Sequence, residues 1–226
     1  MKLFDTEING QILDVFKAHL VSYTVGACSY DNGYMSPPSS IFPVRLDGKV
    51  GLRSVVMTMD FEGDSFAEIS LNISNLTAML HKEALLFLPD GFYYTCVFEG
   101  ASEPKEKAPW ILQVKFTFSG VRHKALKTES FTQSGKMYVD GNYKSSAIVR
   151  IVPNTGTTEV TVNGITVQNI AGEVVIDGIK KTVMQNGVNK FADTNMTEFP
   201  YFECGENDVT INGNATVELS YYPIFL

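Results

Sequence analysis

The sequence is poor in the residues that do chemistry. Its 226 residues include three cysteines, three histidines and one tryptophan, and 19% of them are charged. Cys28, Cys96 and Cys204 are odd in number and far apart, without the paired spacing of a zinc site. They read as free, mostly buried thiols of a reducing compartment. His19, His81 and His123 have no motif spacing to Asp, Glu or Cys, and there is no Gly-x-Ser-x-Gly elbow, phosphate loop or dinucleotide fingerprint. No lysine or arginine cluster occurs and the formal charge is −7, which argues against sequence-specific nucleic-acid binding. No run of about 18 apolar residues is present, so membrane insertion is not expected. The opening Met-Lys-Leu-Phe-Asp-Thr-Glu lacks the apolar centre of a secretory signal. The residues therefore assign no catalytic group, metal or cofactor, and the chain is not expected to be an enzyme. Glu203, Glu206 and Asp208, beside Gly205 and Asn207, leave two readings open: calcium ligands, or a turn whose Asn and Asp satisfy their own backbone.

What the chain does have is apolar periodicity and turn chemistry. Hydrophobic residues make up 44% and aromatics 12%, enough for one large core or two small ones. Asn-Gly begins at Asn9, Asn32, Asn163, Asn186 and Asn212, and Asp-Gly at Asp47, Asp90, Asp140 and Asp177. These are the favoured dipeptides of tight hairpins, so the chain reads as mainly antiparallel β. One stretch breaks that pattern. Phe66, Ile69, Ile73, Leu76 and Leu80 recur at steps of three and four, predicting a core-facing helix over about 65–82. Ser65 and Glu68 suit a capping box, and His81 and Lys82 a last turn that complements the helix dipole. Two apolar runs, Ala84 to Leu88 and Phe92 to Phe98, then flank Pro89-Asp90-Gly91, which predicts a tight turn.

In chain order, a hairpin at Asn9-Gly10 leads to a strand with His19, Val21, Tyr23 and Val25 on one face. Ser29 to Arg53 is rich in Gly and Pro and carries Tyr34, Met35, Ile41, Phe42 and Val44. It reads either as a disordered loop or as an extended arm that packs on another subunit. Val55, Met57, Met59 and Phe61 alternate as a half-buried strand. Gly100 to Pro109 reads as a loop. Trp110, Leu112, Val114, Phe116 and Phe118 share one strand face, with Trp110 as a core or ring-edge anchor, or else a sugar-stacking residue. Periodicity weakens over Ser119 to Lys136, which places a boundary between domains 1–128 and 129–226. Beyond it, short strands around Ala147–Val152, Val160–Val167, Val174–Val183 and Val209–Tyr221 predict a sandwich or jelly roll.

The C-terminal residues are distinctive. Pro200, Gly205, Asn207, Tyr221 and Pro223 fall within Glu198–Ile211 and the strand Val217–Pro223. In order and surroundings they resemble the closing signature of distal tail proteins of long-tailed phages, especially those of Gram-positive hosts. Ile148–Pro153, Val174–Asp177 and Lys181–Gly187 resemble the segments that precede it in that family. The resemblance implies an N-terminal β-sandwich or barrel-like domain with one helix and a hairpin, followed by a galectin-like β-sandwich. It implies a homo-oligomeric ring of six at the virion tail tip, assembled in the host bacterial cytoplasm. Such a ring would join the tail-tube protein to tail-tip and receptor-binding proteins and let DNA pass. The candidate subunit contacts are Tyr34, Met35, Ile41, Phe42 and Val44 of the arm, with Phe92 and Tyr94 of the hairpin. Rival readings are a carbohydrate-binding adhesion module, using Tyr138, Tyr143 or Tyr201, a tail-tube protein, and a wall hydrolase. Leu76→Asp should unfold the N-terminal half or leave it aggregated; a soluble variant with an unchanged melting temperature contradicts the helix stripe.

Overall fold

A computed structural model describes residues 6–36, 38 and 41–226. The opening run Met1 to Asp5 and Pro37 of the arm lie outside the described residues. The chain is mainly β and divides into two compact units, one up to Arg122 together with Leu226, the other His123–Phe225. Each has its own apolar core.

The first unit contains β1 (Glu7–Ile8), β2 (Gln11–Ile12), β3 (Ala18–Met35), β4 (Val44–Glu62), α1 (Phe66–Met79), β5 (Ala84–Phe87), β6 (Tyr93–Ala101), β7 (Lys105–Ala108) and β8 (Ile111–His123). The strands form one sheet in the order β2-β1-β5-β6-β8-β4-β3, with β7 added to β8. Val55, Met57, Met59 and Phe61 of β4 and Val114, Phe116 and Phe118 of β8 are buried on one face of it. Ile69, Leu76 and Leu80 join that core from the helix side. Burial of an aliphatic side chain of this size stabilises by about 1.5–3 kcal/mol. Ile73 packs partly buried, while Phe66 is 45% exposed, so the apolar stripe is narrower than its spacing suggests. Ser65 caps α1, its Oγ accepting from the Glu68 N–H at 3.2 Å. Glu68 reaches back one residue further than a capping box, accepting from the Asp64 N–H at 2.8 Å, and also receives Lys17 Nζ at 2.6 Å. The helix stops at Met79 with no basic residue in its last turn, so His81 and Lys82 lie beyond it. The turn after it is tied down by Asn9. The Asn9 Nδ2 donates to the Met79 and Glu83 carbonyls, and its Oδ1 accepts from the Leu85 N–H at 2.7 Å.

Further expectations for the first unit need correction. A bulge between Leu20 and Ser22 rotates β3, so Leu20, Tyr23 and Val25 pack against the core while Val21 faces outward. Gly100 to Pro109 is not all loop: β7 pairs with β8 despite having no apolar residue pattern. Trp110 does not open the strand but occupies the turn before it, with φ 67°.

The second unit comprises β9 (Lys127–Phe131), β10 (Gly135–Val139), β11 (Ser145–Ser146), β12 (Ile148–Pro153), β13 (Val160–Val162), β14 (Ile165–Val167), β15 (Val174–Asp177), β16 (Thr182–Gln185), β17 (Val188–Asn189), β18 (Tyr201–Phe202), β19 (Gly205–Val209), β20 (Ile211–Asn212) and β21 (Ala215–Tyr221). A six-stranded sheet, β17-β16-β15-β12-β21-β9, shares one core with three small sheets, β10-β19, β11-β18 and β14-β13-β20. The result is a β-sandwich. Asn163-Gly164 and Asn186-Gly187 have positive φ at both residues and close two-residue hairpins, as Asn9-Gly10 does in the first unit. Asn212-Gly213 instead carries the chain between sheets, because β20 pairs with β13 whereas β21 pairs with β12. Asp177-Gly178 opens a longer turn, in which Asp177 Oδ1 accepts from the Ile179 and Lys180 N–H groups, both at 2.9 Å.

Asn9→Ala should cost about 1–3 kcal/mol in urea unfolding, since it strands three backbone groups and places Ala at positive φ. Asn9→Gly keeps the backbone and loses only the bonds, so it should fall between Ala and wild type. Wild-type stability in both contradicts this role.

Candidate assembly surface

The hairpin β3–β4 is two objects in one ladder. From Ala18↔Phe61 to Val25↔Val55 it belongs to the core-bearing sheet. From Tyr30↔Val50 to Met35↔Val44 the same pairing continues with no buried residue among those whose burial is described. The stretch Ser29 to Arg53 is therefore an ordered antiparallel arm over its described residues. Asn32-Gly33 and Asp47-Gly48, expected as turns, face each other within this ladder. Gly48 leaves room beneath the Arg45 guanidinium, which a Cβ there would meet. The arm carries a run of exposed apolar groups. Ile41 is 92%, Phe42 74% and Tyr34 71% exposed, and Met35, Val44 and Leu46 are exposed as well. Exposed apolar side chains this concentrated mark an interaction surface. β3 is also an edge of its sheet, with backbone groups along the arm facing outward.

The hairpin β5–β6 contributes differently from expectation. Tyr94 is wholly buried, a core residue and not a surface contact, because its register on β6 points it inward opposite Leu86. Its hydroxyl donates to Asp90 Oδ2 at 2.5 Å, and burial, followed by Asp90, raises its pKa. Phe92 is half-buried beneath Arg122, whose guanidinium carbon lies 4.7 Å from the ring centroid. At the root of the arm, buried Arg53 donates to Cys28 Sγ at 3.2 Å.

A second exposed aromatic feature was not legible as such. Pro109-Trp110 makes a two-residue turn between Ala108 and Ile111, with Trp110 at φ 67°. That is the position where type II turns place Gly or Asn. A bulky residue held there costs roughly 1–3 kcal/mol. The residue is 48% exposed, and its ring meets that of Phe66 at a tilt of 42° with centroids 5.2 Å apart.

In the second unit the signature residues act as clasps. The Asn207 amide spans its own loop, donating to the Glu203 and Gly205 carbonyls and accepting from the Glu203 N–H. Gly205 sits at φ 95°. The carbonyl of Pro200 accepts from the Ala147 N–H, and that of Pro223 from the Lys124 N–H, each at 3.0 Å. Tyr221 is fully buried, its hydroxyl accepting from the Asp140 N–H and donating to the Tyr138 carbonyl. A cleft of about 240 Å³ lies among Val162, Ile165, Glu198, Phe199 and Tyr201. Tyr138 and Tyr201 are exposed but belong to different small sheets.

Among the described residues no three His, Cys, Asp or Glu side chains gather as metal ligands, and Glu206 pairs with Lys136. His123 is buried with its ring edge on Tyr222, and burial lowers its pKa. No helix of the described residues is long and apolar enough to cross a membrane.

The fold of this chain is shared with solved proteins of phage adsorption apparatus. The crystal structure of SPP1 Dit (gp 19.1), described as a paradigm of the hub adsorption apparatus in phages infecting Gram-positive bacteria, is similar over 100% of both chains, with a TM-score of 0.75 and 15% identity. Chains of the phage P2 baseplate in its activated conformation are also similar. With calcium the TM-score is 0.58 at 11% identity over 94% of this chain and 92% of that one; with strontium it is 0.56 at 11% over 93% and 92%. No protein-family model and no curated protein matches the sequence. At these identities the likeness is one of fold, and what the chain does must be argued from its own surfaces.

Burial pushes the Cys96 thiol up to about 12, which keeps it protonated near pH 8. In the folded protein, Ellman's reagent at pH 8 should therefore modify partly exposed Cys28 and Cys204 well before Cys96. Equal rates at all three contradict the burial of Cys96 in the first core.

Proposed function

We propose that this chain is a distal tail protein, a structural subunit of a phage tail tip. Copies associate head to tail into a closed ring of six at the end of the tail tube. The ring joins the tube to tail-tip and receptor-binding proteins, leaves an opening for DNA and works by adhesion, without catalysis. It assembles in the host cytoplasm and ends in the virion.

The observation that carries this reading is the arm. A β-ladder that leaves its core fully paired, with exposed apolar side chains along it, is unfavourable in a lone molecule. A ring removes the liability, because each copy presents its arm to the next and the contacts close by rotation. Aromatic and Met side chains such as Tyr34, Phe42 and Met35 are those enriched in interface cores. The full-length likeness to SPP1 Dit supports the same role. The net charge of −7 suits a passage that must not retain DNA.

Light scattering of the purified protein, with negative-stain images of the same sample, should show closed six-fold rings. Ile41→Asp should weaken self-association by roughly 30-fold or more, about 2 kcal/mol, with little change in melting temperature. Long tubes would replace this reading with a tail-tube protein. A chain that stays monomeric at high concentration would contradict it.

A further inference from the structure

We infer that the cleft of the second unit is a carbohydrate site, taking the pyranose ring of one hexose or N-acetylhexosamine residue of a glycan. The site does not depend on ring assembly and gives the β-sandwich a function of its own.

The cleft exists because the strands that close the sandwich beside the six-stranded sheet do not form one sheet. β11-β18 and β14-β13-β20 share a core but no backbone pairing, and a cleft of about 240 Å³ opens where they meet. Buried Val149, Val162 and Phe202 line it, together with the rings of Phe199 and exposed Tyr201. Pockets for drug-sized ligands run to roughly 300–1,000 Å³, so this one suits a single ring. Its walls are fixed before any ligand arrives. Asn163 Oδ1 accepts from the Thr210 N–H at 2.7 Å, and the Gly164 carbonyl accepts from Asn195 Nδ2 at 3.1 Å. On the opposite wall the Pro200 carbonyl accepts from the Ala147 N–H. Such prior ordering lowers the cost of binding.

A sugar ring presents an apolar C–H face and a rim of hydroxyls that both donate and accept, and the cleft answers both. Around its apolar lining stand polar groups not yet spent. The Glu198 carboxylate and the Tyr201 hydroxyl have no hydrogen-bond or ionic partner among the described residues, and Asn163 engages its Oδ1 but not its Nδ2. Lys144 Nζ lies 5.0 Å from the centroid of the Tyr201 ring and Lys181 Nζ 5.2 Å from that of Phe199, adding donors at the aromatic wall. Elsewhere in the unit charges are paired, as Arg150 is with Glu173 and Glu218, both at 2.7 Å. Other occupants fit less well. A phosphate would leave the apolar lining unused and would face Glu198. A wholly apolar group would desolvate Glu198 and Asn163 without pairing them. An extended peptide seeks an open strand edge, yet the edge of β14 is closed. There the Thr166 N–H donates to Asn195 Oδ1 at 2.8 Å and the Gln168 N–H to the Asp193 carbonyl at 2.9 Å.

The test is saturation-transfer difference NMR on the full-length chain with the methyl glycosides of glucose, galactose, N-acetylglucosamine and N-acetylgalactosamine. At least one is expected to bind, with saturation strongest on the protons of its apolar face. Tyr201→Ala and Glu198→Gln should each weaken that binding about tenfold or more and keep the melting temperature, since both residues are exposed. Tyr138→Ala, which removes an exposed tyrosine of another sheet, should leave binding unchanged. Binding of none of the four sugars, or binding that both cleft variants retain, overturns this inference. So does a signal lost with Tyr138→Ala and kept with Tyr201→Ala. Rings that bind no sugar leave the proposed assembly standing, whereas a monomer that binds sugar through Tyr201 and Glu198 overturns the assembly alone.

Discussion

The structure depends on one uninterrupted antiparallel ladder, β3 against β4. Its inner half supplies Val55, Met57, Met59 and Phe61 to the core, where α1 and β8 pack on them. Its outer half inherits backbone pairing from that anchored half and needs no core of its own. Strand pairing is cooperative along a ladder, and a two-stranded ribbon alone in water is marginal. The arm is ordered because its root is buried. The same continuity places an apolar tip far from the helix end of the sheet.

The remaining features of the first unit hold the root in place. Lys17 and Glu68 pair at 2.6 Å where the 3-10 turn before β3 meets the start of α1. The pair is exposed, so its direct contribution is small, but it fixes the helix start that Ser65 caps. Asn9 does the same at the helix end. In the second unit, the Tyr221 hydroxyl holds the Tyr138–Asp140 backbone and the Asn207 amide closes its own loop at Glu203, both by side chain to backbone hydrogen bonds. These groups are structural clasps.

Much of this was legible in the residues. The period-two alternation of Val55 to Phe61 and the helix stripe of Ile69, Leu76 and Leu80 depend only on local geometry, and the structure buries both sets. Asn-Gly turns were readable where both residues could take positive φ, as at Asn9, Asn163 and Asn186. The misreadings share a cause in tertiary pairing. Asn32-Gly33 and Asp47-Gly48 have turn chemistry but sit opposite each other in the arm, because the ladder had already fixed their partners. Val21 was displaced by a bulge that leaves no mark on the apolar pattern, and β7, all charged but for Ala108, forms because β8 offers it an edge. Tyr94 looked like a surface aromatic until register turned it inward. Of the candidate surface, the arm residues showed themselves by being apolar among Gly and Pro. Trp110 could not, since only its turn geometry reveals that it is displayed and not packed.

The most direct measurement is made on a chain whose arm has been removed at its root. Cys28 pairs with Arg53 across the ladder, so residues 29–52 can be replaced there by a short Asn-Gly turn. Melting temperature and solution mass of the shortened chain are then compared with wild type. The expected result is rings from the full chain and a folded monomer from the shortened one at the same concentration. Rings that persist without the arm, or a first unit that no longer folds, would contradict the account.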